Sequence, residues 1–286
     1  MRSIFKIILF IPWCILFSIG TQFLSIPSNG IELSTGSNMV LENGLNPASL
    51  SMDKNTSLNF SHGNWLADSK VSSLKWTFPN KKSSFGVDLK YASLGDLELR
   101  TERPTDDHLA YYNASGFSLG GLYSKEFDRF NAGAAIRFVR IDLYTENSTG
   151  IAIDLGTKYH LSRSTVLGAA IMNIGKMSEL KNETPALPMR LLMTGTYTIE
   201  GENMTNEISI TGEWSQLSQG GVGYVSTSAG WNGLIVRLGS KLSKDVLEIR
   251  GGFGFSFGMY RLNYGISYGS QDLGLPHMID LSIVLP

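Results

Sequence analysis

Three Gly-x-Ser-x-Gly pentapeptides are the residues most suggestive of chemistry: Gly116-Phe117-Ser118-Leu119-Gly120, Gly254-Phe255-Ser256-Phe257-Gly258 and Gly265-Ile266-Ser267-Tyr268-Gly269. In a serine hydrolase this motif sets the serine on a sharp turn between strand and helix, with its oxygen projecting toward a histidine. Here each copy lies in an alternating stretch with Gly and Ser on one face, as strand composition produces. Catalysis on such a chain would need one of Ser118, Ser256 or Ser267 beside a histidine at a rim. The histidines, His62, His108, His160 and His277, are scattered, and none pairs with another at metal-ligand spacing. Gly251-Gly252-Phe253-Gly254 lacks the spacing of a phosphate-binding loop, and no helix follows it. Asp106-Asp107-His108 reads as a solvated loop tip. No catalytic residue, cofactor-binding residue or metal ligand is therefore expected.

The elements that carry these residues follow from composition and period. The chain has 286 residues with 24 Lys plus Arg against 25 Asp plus Glu. That near-neutral balance argues against nucleic-acid binding, which needs a basic surface to neutralise phosphates. Thirty-one glycines against 9 prolines, with 14 Phe, 11 Tyr and 5 Trp, suit many short strands better than a helical domain. Met1 to about Gly20 puts Arg2 and Lys6 ahead of the apolar run Ile7 to Ile19, and Ser18 and Gly20 are small; residues 1–20 read as a signal peptide. Its removal also removes Cys14, the single cysteine, so disulfides are not expected to hold the fold. Beyond Gly20 no apolar run reaches about 18 residues, so no later helix is expected to span a bilayer. An exported chain can still cross as a closed barrel, because closure pairs every backbone donor and acceptor without water.

Residues 21–54 alternate poorly and hold Ile26-Pro27, Gly36, Asn43-Gly44 and Asn46-Pro47-Ala48, all turn signals. This segment is expected to be irregular, plugging an interior or lying at a rim. Strands are expected at roughly Thr56–Trp65, Val71–Phe78, Ser84–Tyr91, Leu109–Tyr123, Phe130–Leu143, Ile151–Tyr159, Val166–Ile174, Met189–Tyr197, Glu207–Ser215, Val222–Ala229, Leu234–Lys241, Leu247–Phe257, Met259–Tyr268 and Leu275–Pro286. Polar stretches at Ala92–His108 and Lys176–Pro188 read as loops, the first acidic.

The clearest strand sets Ile151, Ile153, Leu155, Thr157 and Tyr159 against Ala152, Asp154, Gly156 and Lys158. Nine mid-strand charges, Asp88, Lys90, Arg137, Asp154, Lys158, Arg190, Arg237, Arg261 and Asp280, fall on the parity opposite the bulky apolar residues. A charge facing lipid would cost about 2–4 kcal/mol at the midplane, whereas a wet lumen can hold it. Aromatics near strand ends, including Trp65, Trp76, Tyr91, Tyr123, Tyr159, Tyr197, Trp214 and Tyr268, match interfacial girdles. Residues 55–286 are thus expected to form an all-β, transmembrane, up-and-down antiparallel β-barrel of about 14 strands.

Several short stretches resemble the PorV/PorQ family of outer-membrane barrels, relatives of FadL-type long-chain fatty-acid transporters. They are Phe23-Leu24-Ser25-Ile26-Pro27, Asn46-Pro47-Ala48 with Leu50, Leu94-Gly95-Asp96-Leu97-Glu98 with Arg100-Thr101, Ile153-Asp154-Leu155-Gly156 with Tyr159, Asn173-Ile174-Gly175, Leu187-Pro188 and Asp272-Leu273-Gly274 before His277. Asn46-Pro47-Ala48 is the distinctive one and carries over as a structural signature. The chain departs from the pattern at Met39–Asn43, where acidic residues are usual, and at Pro286, where an aromatic usually ends the chain. The resemblance implies a non-enzymatic 14-strand barrel of the bacterial outer membrane, acting in type IX protein secretion. Its implied partners are outer-membrane lipid, the barrel-assembly machinery, and secretion-system proteins or secreted cargo. A FadL-like channel for hydrophobic solutes is the alternative that the same Asn-Pro-Ala implies.

Overall fold

A computed structural model describes residues 20–50, 55–99, 110–216, 220–244, 246–269 and 274–285. The expected signal peptide and the Asp106-Asp107-His108 tip lie outside the described residues, apart from Gly20.

Fourteen strands run antiparallel in chain order: β1 (Ser57–Asn64), β2 (Lys70–Asn80), β3 (Ser83–Leu99), β4 (Ala110–Phe127), β5 (Phe130–Leu143), β6 (Glu146–His160), β7 (Thr165–Met177), β8 (Arg190–Glu200), β9 (Thr205–Ser215), β10 (Gly221–Trp231), β11 (Leu234–Leu242), β12 (Leu247–Phe257), β13 (Tyr260–Gly269) and β14 (His277–Val284). β1 pairs with β14, from Ser57 opposite Val284 to Asn64 opposite His277, and this closes the barrel. Closure leaves no strand edge unpaired, which is what a wall in hydrocarbon requires. The expected fold class and strand count are both borne out.

Several strands outrun their expected limits, β6 among them, which starts at Glu146. β3 continues through Leu99, into the stretch read as a loop from Ala92, and β4 continues through Phe127. The ladder persists there although alternation fades, and the β3–β4 register shifts between Leu94 and Leu97 with Asp96 at φ 56°. A bulge of this kind resets side-chain parity and hides the strand from a period-two reading.

The two ends of the barrel differ. Two-residue turns join β2 to β3, β4 to β5, β10 to β11 and β12 to β13 at one end. Asn232-Gly233 has positive φ at both residues, 47° and 82°, as the tightest hairpins need. Longer connections between β1 and β2, β3 and β4, β7 and β8, and β13 and β14 lie at the other, long-loop end.

Residues 20–50 lie inside the ring. They carry a 3₁₀ turn at Thr21–Ser25, a short helix α1 (Gly30–Thr35) capped by the Asn29 side chain on the Glu32 N–H, and a second 3₁₀ turn at Pro47–Ser49. Leu33 and Met39 are fully buried. Phe23, Leu24 and Leu33 pack with wall residues Val71, Val139, Ile141 and Met278, and Met39 packs with Ala170, Met172 and Leu192. Full burial of a Leu or Met side chain contributes about 1.5–3 kcal/mol.

Lumen-facing glycines let the plug's backbone and the Asn46 side chain touch the wall. A Cβ on Gly133 would sit 2.3 Å from the Pro47 carbonyl carbon, and one on Gly156 would sit 1.8 Å from Asn46 Oδ1. Across the ring, one on Gly265 would meet the Gly30 oxygen at 2.1 Å.

Gly133→Val and Gly156→Val are each expected to destabilise the barrel by about 1–3 kcal/mol through overpacking. The readout is the temperature at which the folded band converts to the unfolded band on a denaturing gel. Gly212→Ala, whose added carbon meets nothing within 4 Å, should leave that temperature unchanged.

Candidate functional site: plugged lumen and mouth pocket

All nine charges singled out from the sequence fall on the lumen parity, and most are buried there. Arg137 on β5 sits between two carboxylates: its Nε donates to Asp154 Oδ2 at 2.6 Å and its Nη1 to Asp88 Oδ2 at 2.6 Å. The other oxygen of Asp154 accepts the N–H of Asn173 at 2.7 Å. Asn173 has φ 60° and marks the register shift between β6 and β7, so both Met172 and Asn173 turn inward. The carboxylate thereby pairs an amide that the bulge removes from the ladder.

A second cluster lies further round the ring, on β8, β9 and β10. Arg190 donates through Nε to Glu213 Oε1 at 2.7 Å and through Nη2 to Ser37 of the plug at 2.7 Å. The Tyr224 hydroxyl donates to Glu213 Oε2 at 2.9 Å. Further toward the mouth, Glu248 accepts from Lys241 at 2.8 Å and from Arg250 at 2.6 Å. The Arg250 guanidinium lies 5.3 Å from the Tyr224 ring centre. Removing one partner of a buried pair strands a charge, so each cluster fixes its strands' inward groups strongly.

The wall also grips the plug backbone. Lys75 Nζ donates to the carbonyls of Asn43 at 3.0 Å and Gly44 at 2.6 Å, and Lys90 donates to the Ile26 carbonyl. Asp280 Oδ1 accepts the Gly30 N–H at 2.7 Å at the start of α1. Glu32 is the buried acid of the plug, and its carboxylate accepts the Ser28 N–H at 2.8 Å. Burial pushes the Glu32 carboxyl above its ordinary value, against the pull of Lys90.

Asn46, Pro47 and Ala48 form the hinge of the plug's return. Asn46 Nδ2 donates to the Met39 carbonyl at 2.8 Å and to the Thr157 carbonyl of β6 at 2.9 Å, while its Oδ1 accepts the Ala48 N–H at 3.0 Å. Pro47 needs no partner for a missing N–H and starts the 3₁₀ turn that lies on Gly133.

The three candidate serines stand within strands β4, β12 and β13, Ser256 next to the end of its strand, and face the lumen; none is on a strand-to-helix turn. Ser267 reaches Glu248 at 3.3 Å. His62 and His277 are on the outer wall and His160 ends β6, while His108 lies outside the described residues. Sequence reading missed Glu32, Glu213 and Tyr224. Glu213 sits on the buried parity of β9 and was available to the same test; α1 offers no period from which Glu32 could be picked out.

Two spaces remain. A narrow polar cavity of about 80 Å³ lies between plug and wall, beside Glu32, Asp88, Lys90, Arg137 and Asp280. A wider pocket of about 700 Å³ opens at the long-loop end, lined by Phe23, Ile26, Trp65, Leu66, Leu94 and Ile141, with Lys241 at its margin. The turn at Thr21–Ser25, with Ile26, stands between them. The mouth pocket is concave, largely apolar and edged by a few polar groups, which is the form of a small-molecule site.

The model of a family of unknown function, DUF5723, matches residues 105–229. No curated protein matches the chain. Among solved structures, the Pseudomonas putida toluene transporter TodX is 14% identical, with 91% of this chain and 98% of that chain covered and a TM-score of 0.64. A Pseudomonas aeruginosa FadL homologue is 10% identical over 91% and 98% of the two chains, with a TM-score of 0.55. The Acinetobacter baumannii outer membrane protein Omp33 is 10% identical over 82% and 100%, with a TM-score of 0.51. At such identities the likeness shows the fold: a closed barrel similar to FadL-type outer-membrane barrels.

Asn46→Ala is expected to leave the buried Ala48 N–H without its acceptor and to take one donor each from the Thr157 carbonyl and from the Met39 carbonyl, which keeps the Ser49 hydroxyl, at about 1–3 kcal/mol for the group left unpaired. The folded-band melting temperature should fall, and protease should cut within residues 30–50 at lower concentrations than in the parent protein.

Proposed function

We propose that the chain is a bacterial outer-membrane barrel that receives hydrophobic solutes in its mouth pocket and passes them by displacement of the plug. The single observation that carries this reading is the apolar pocket of about 700 Å³ at the long-loop end, floored by the plug's own Phe23 and Ile26. A solute that packs there buries apolar surface against the segment that blocks the lumen. Barrels of this kind turn their longer loops to the cell exterior, so the pocket faces incoming solute. The fold likeness to a toluene transporter and to a FadL homologue supports the same reading.

The ordered motifs from Phe23 to His277 favour a second reading, a PorV/PorQ-type barrel in type IX secretion that binds secretion proteins or cargo at the cell surface. On that reading the mouth would dock a polypeptide and no solute would cross. Either way the chain would act without turnover, and the barrel-assembly machinery would insert it.

Expression in a Gram-negative host lacking its own hydrophobic-solute channels should raise uptake of radiolabelled toluene or octane several-fold. Leu66→Glu with Leu94→Glu, both half-exposed at the pocket wall, should return uptake to background while leaving the folded band intact. Background uptake by the parent protein for both solutes would contradict the channel reading.

A further inference from the structure

The outer wall is apolar around most of the ring, but the pattern is interrupted at the long-loop end of β14, β1 and β2. His277, Asn64 and Lys70 stand in one row there, Asn64 being the register partner of both others. One row nearer the belt's middle are Ile279, His62 and Ser72, with His62 as the shared partner. Directly opposed side chains in such a ladder are about 4.5–5.5 Å apart at Cβ, so the five polar residues share a patch about 10 Å across. The same two rows are apolar or aromatic on the β13 side, at Ile266 and Tyr264, and Tyr91 of β3 holds the lower row on the other side. The result is a polar notch cut into the edge of the apolar belt.

Its chemistry is that of a donor cluster. His277 Nδ1 donates to the Leu275 carbonyl at 2.9 Å, and the His277 ring lies 6.5 Å from the Tyr264 ring. His62 is fixed through Nδ1 to the Ser72 hydroxyl at 2.9 Å. In each ring Nε2 is then the nitrogen left to meet a ligand, and because His277 Nδ1 already carries a proton, its Nε2 donates when the ring is an imidazolium. Lys70 is exposed and takes part in none of the ion pairs among the described residues. Arg140, an exposed cation elsewhere on the outer wall, is instead tied to Asp142 at 2.7 Å.

We propose that this notch binds the phosphate of an anionic lipid held against the barrel. The inference rests on the wall lying in a bilayer, and it is independent of what crosses the lumen. The edge of the apolar belt is the depth at which headgroups lie, and basic side chains there attract anionic lipid. Phe60, Leu74 and Ile279 continue the notch downward as exposed apolar surface, a track for acyl chains that a free anion would not use.

The test uses the full mature chain in nanodiscs of phosphatidylcholine doped with phosphatidic acid, and counts by native mass spectrometry the lipids that remain on the protein. The parent protein should retain phosphatidic acid in preference to phosphatidylcholine. Lys70→Gln should lower that preference about fivefold, the usual effect of one basic residue beside an anionic surface. His277→Gln should lower it further, Lys70→Arg should preserve it, and Arg140→Gln should leave it unchanged. Absence of any preference in the parent protein would overturn the proposal, as would an equal loss from Arg140→Gln. Displacement of the retained lipid by inorganic phosphate alone would assign the notch to the free anion and overturn the lipid assignment.

Discussion

Everything in this molecule follows from the width of a closed ring of fourteen strands. Barrels of about eight strands are filled by their own inward side chains, whereas larger ones enclose a space that something else must occupy or water must fill. Here residues 20–50 occupy it. Their backbone comes so close to the wall at Gly133 and Gly265, and the Asn46 side chain so close at Gly156, that none of the three leaves room for a Cβ. Filling a lumen with irregular backbone creates its own demand, because each N–H and C=O placed there needs a partner. The wall meets that demand with charged side chains: Lys75 and Lys90 on plug carbonyls, Asp280 on the N–H of Gly30.

The inward charges thus have two tasks. Some hold the plug, and others, such as Arg137 between Asp88 and Asp154, hold the wall to itself. Neither arrangement is cheap to dismantle, since a buried charge left alone costs several kcal/mol. A plug held by many such contacts moves only when something else compensates for them. On the channel reading proposed above, a solute in the mouth pocket would do this, because Phe23 and Ile26 belong to the plug and line the pocket at once.

Much of the wall was legible in the sequence. Period-two alternation with lipid on one face and charges on the other is a strong signal, and the nine charges of one parity all face inward. The signal fails where the ladder leaves the belt or takes on an extra residue. Beyond Tyr91, β3 carries Gly95, Asp96 and Glu98 and shifts register, so the strand reads as loop. Asn173 adds a residue to β7, and parity inverts after it, so that Ile174 faces out and Met177 faces in. The site was less legible than the wall. Arg190 was visible as a charge, but its partners Glu213 and Ser37, and the Tyr224 that donates to Glu213, come from two other strands and the plug, which only cross-strand register and the plug's path bring together. The mouth pocket gathers side chains from the plug, four strands and the β1–β2 and β7–β8 connections, and no local pattern marks them as neighbours.

The most direct test of the account is amide hydrogen exchange across residues 30–50 of the detergent-solubilised barrel. The N–H groups of Gly30, Glu32, Met39, Val40 and Ala48 donate to side-chain acceptors within the plug or on the wall. A seated plug therefore predicts protection at these amides comparable to the barrel strands. Exchange there as fast as in the connecting loops would contradict it, and would mean that the ring is filled by something other than its own leading segment.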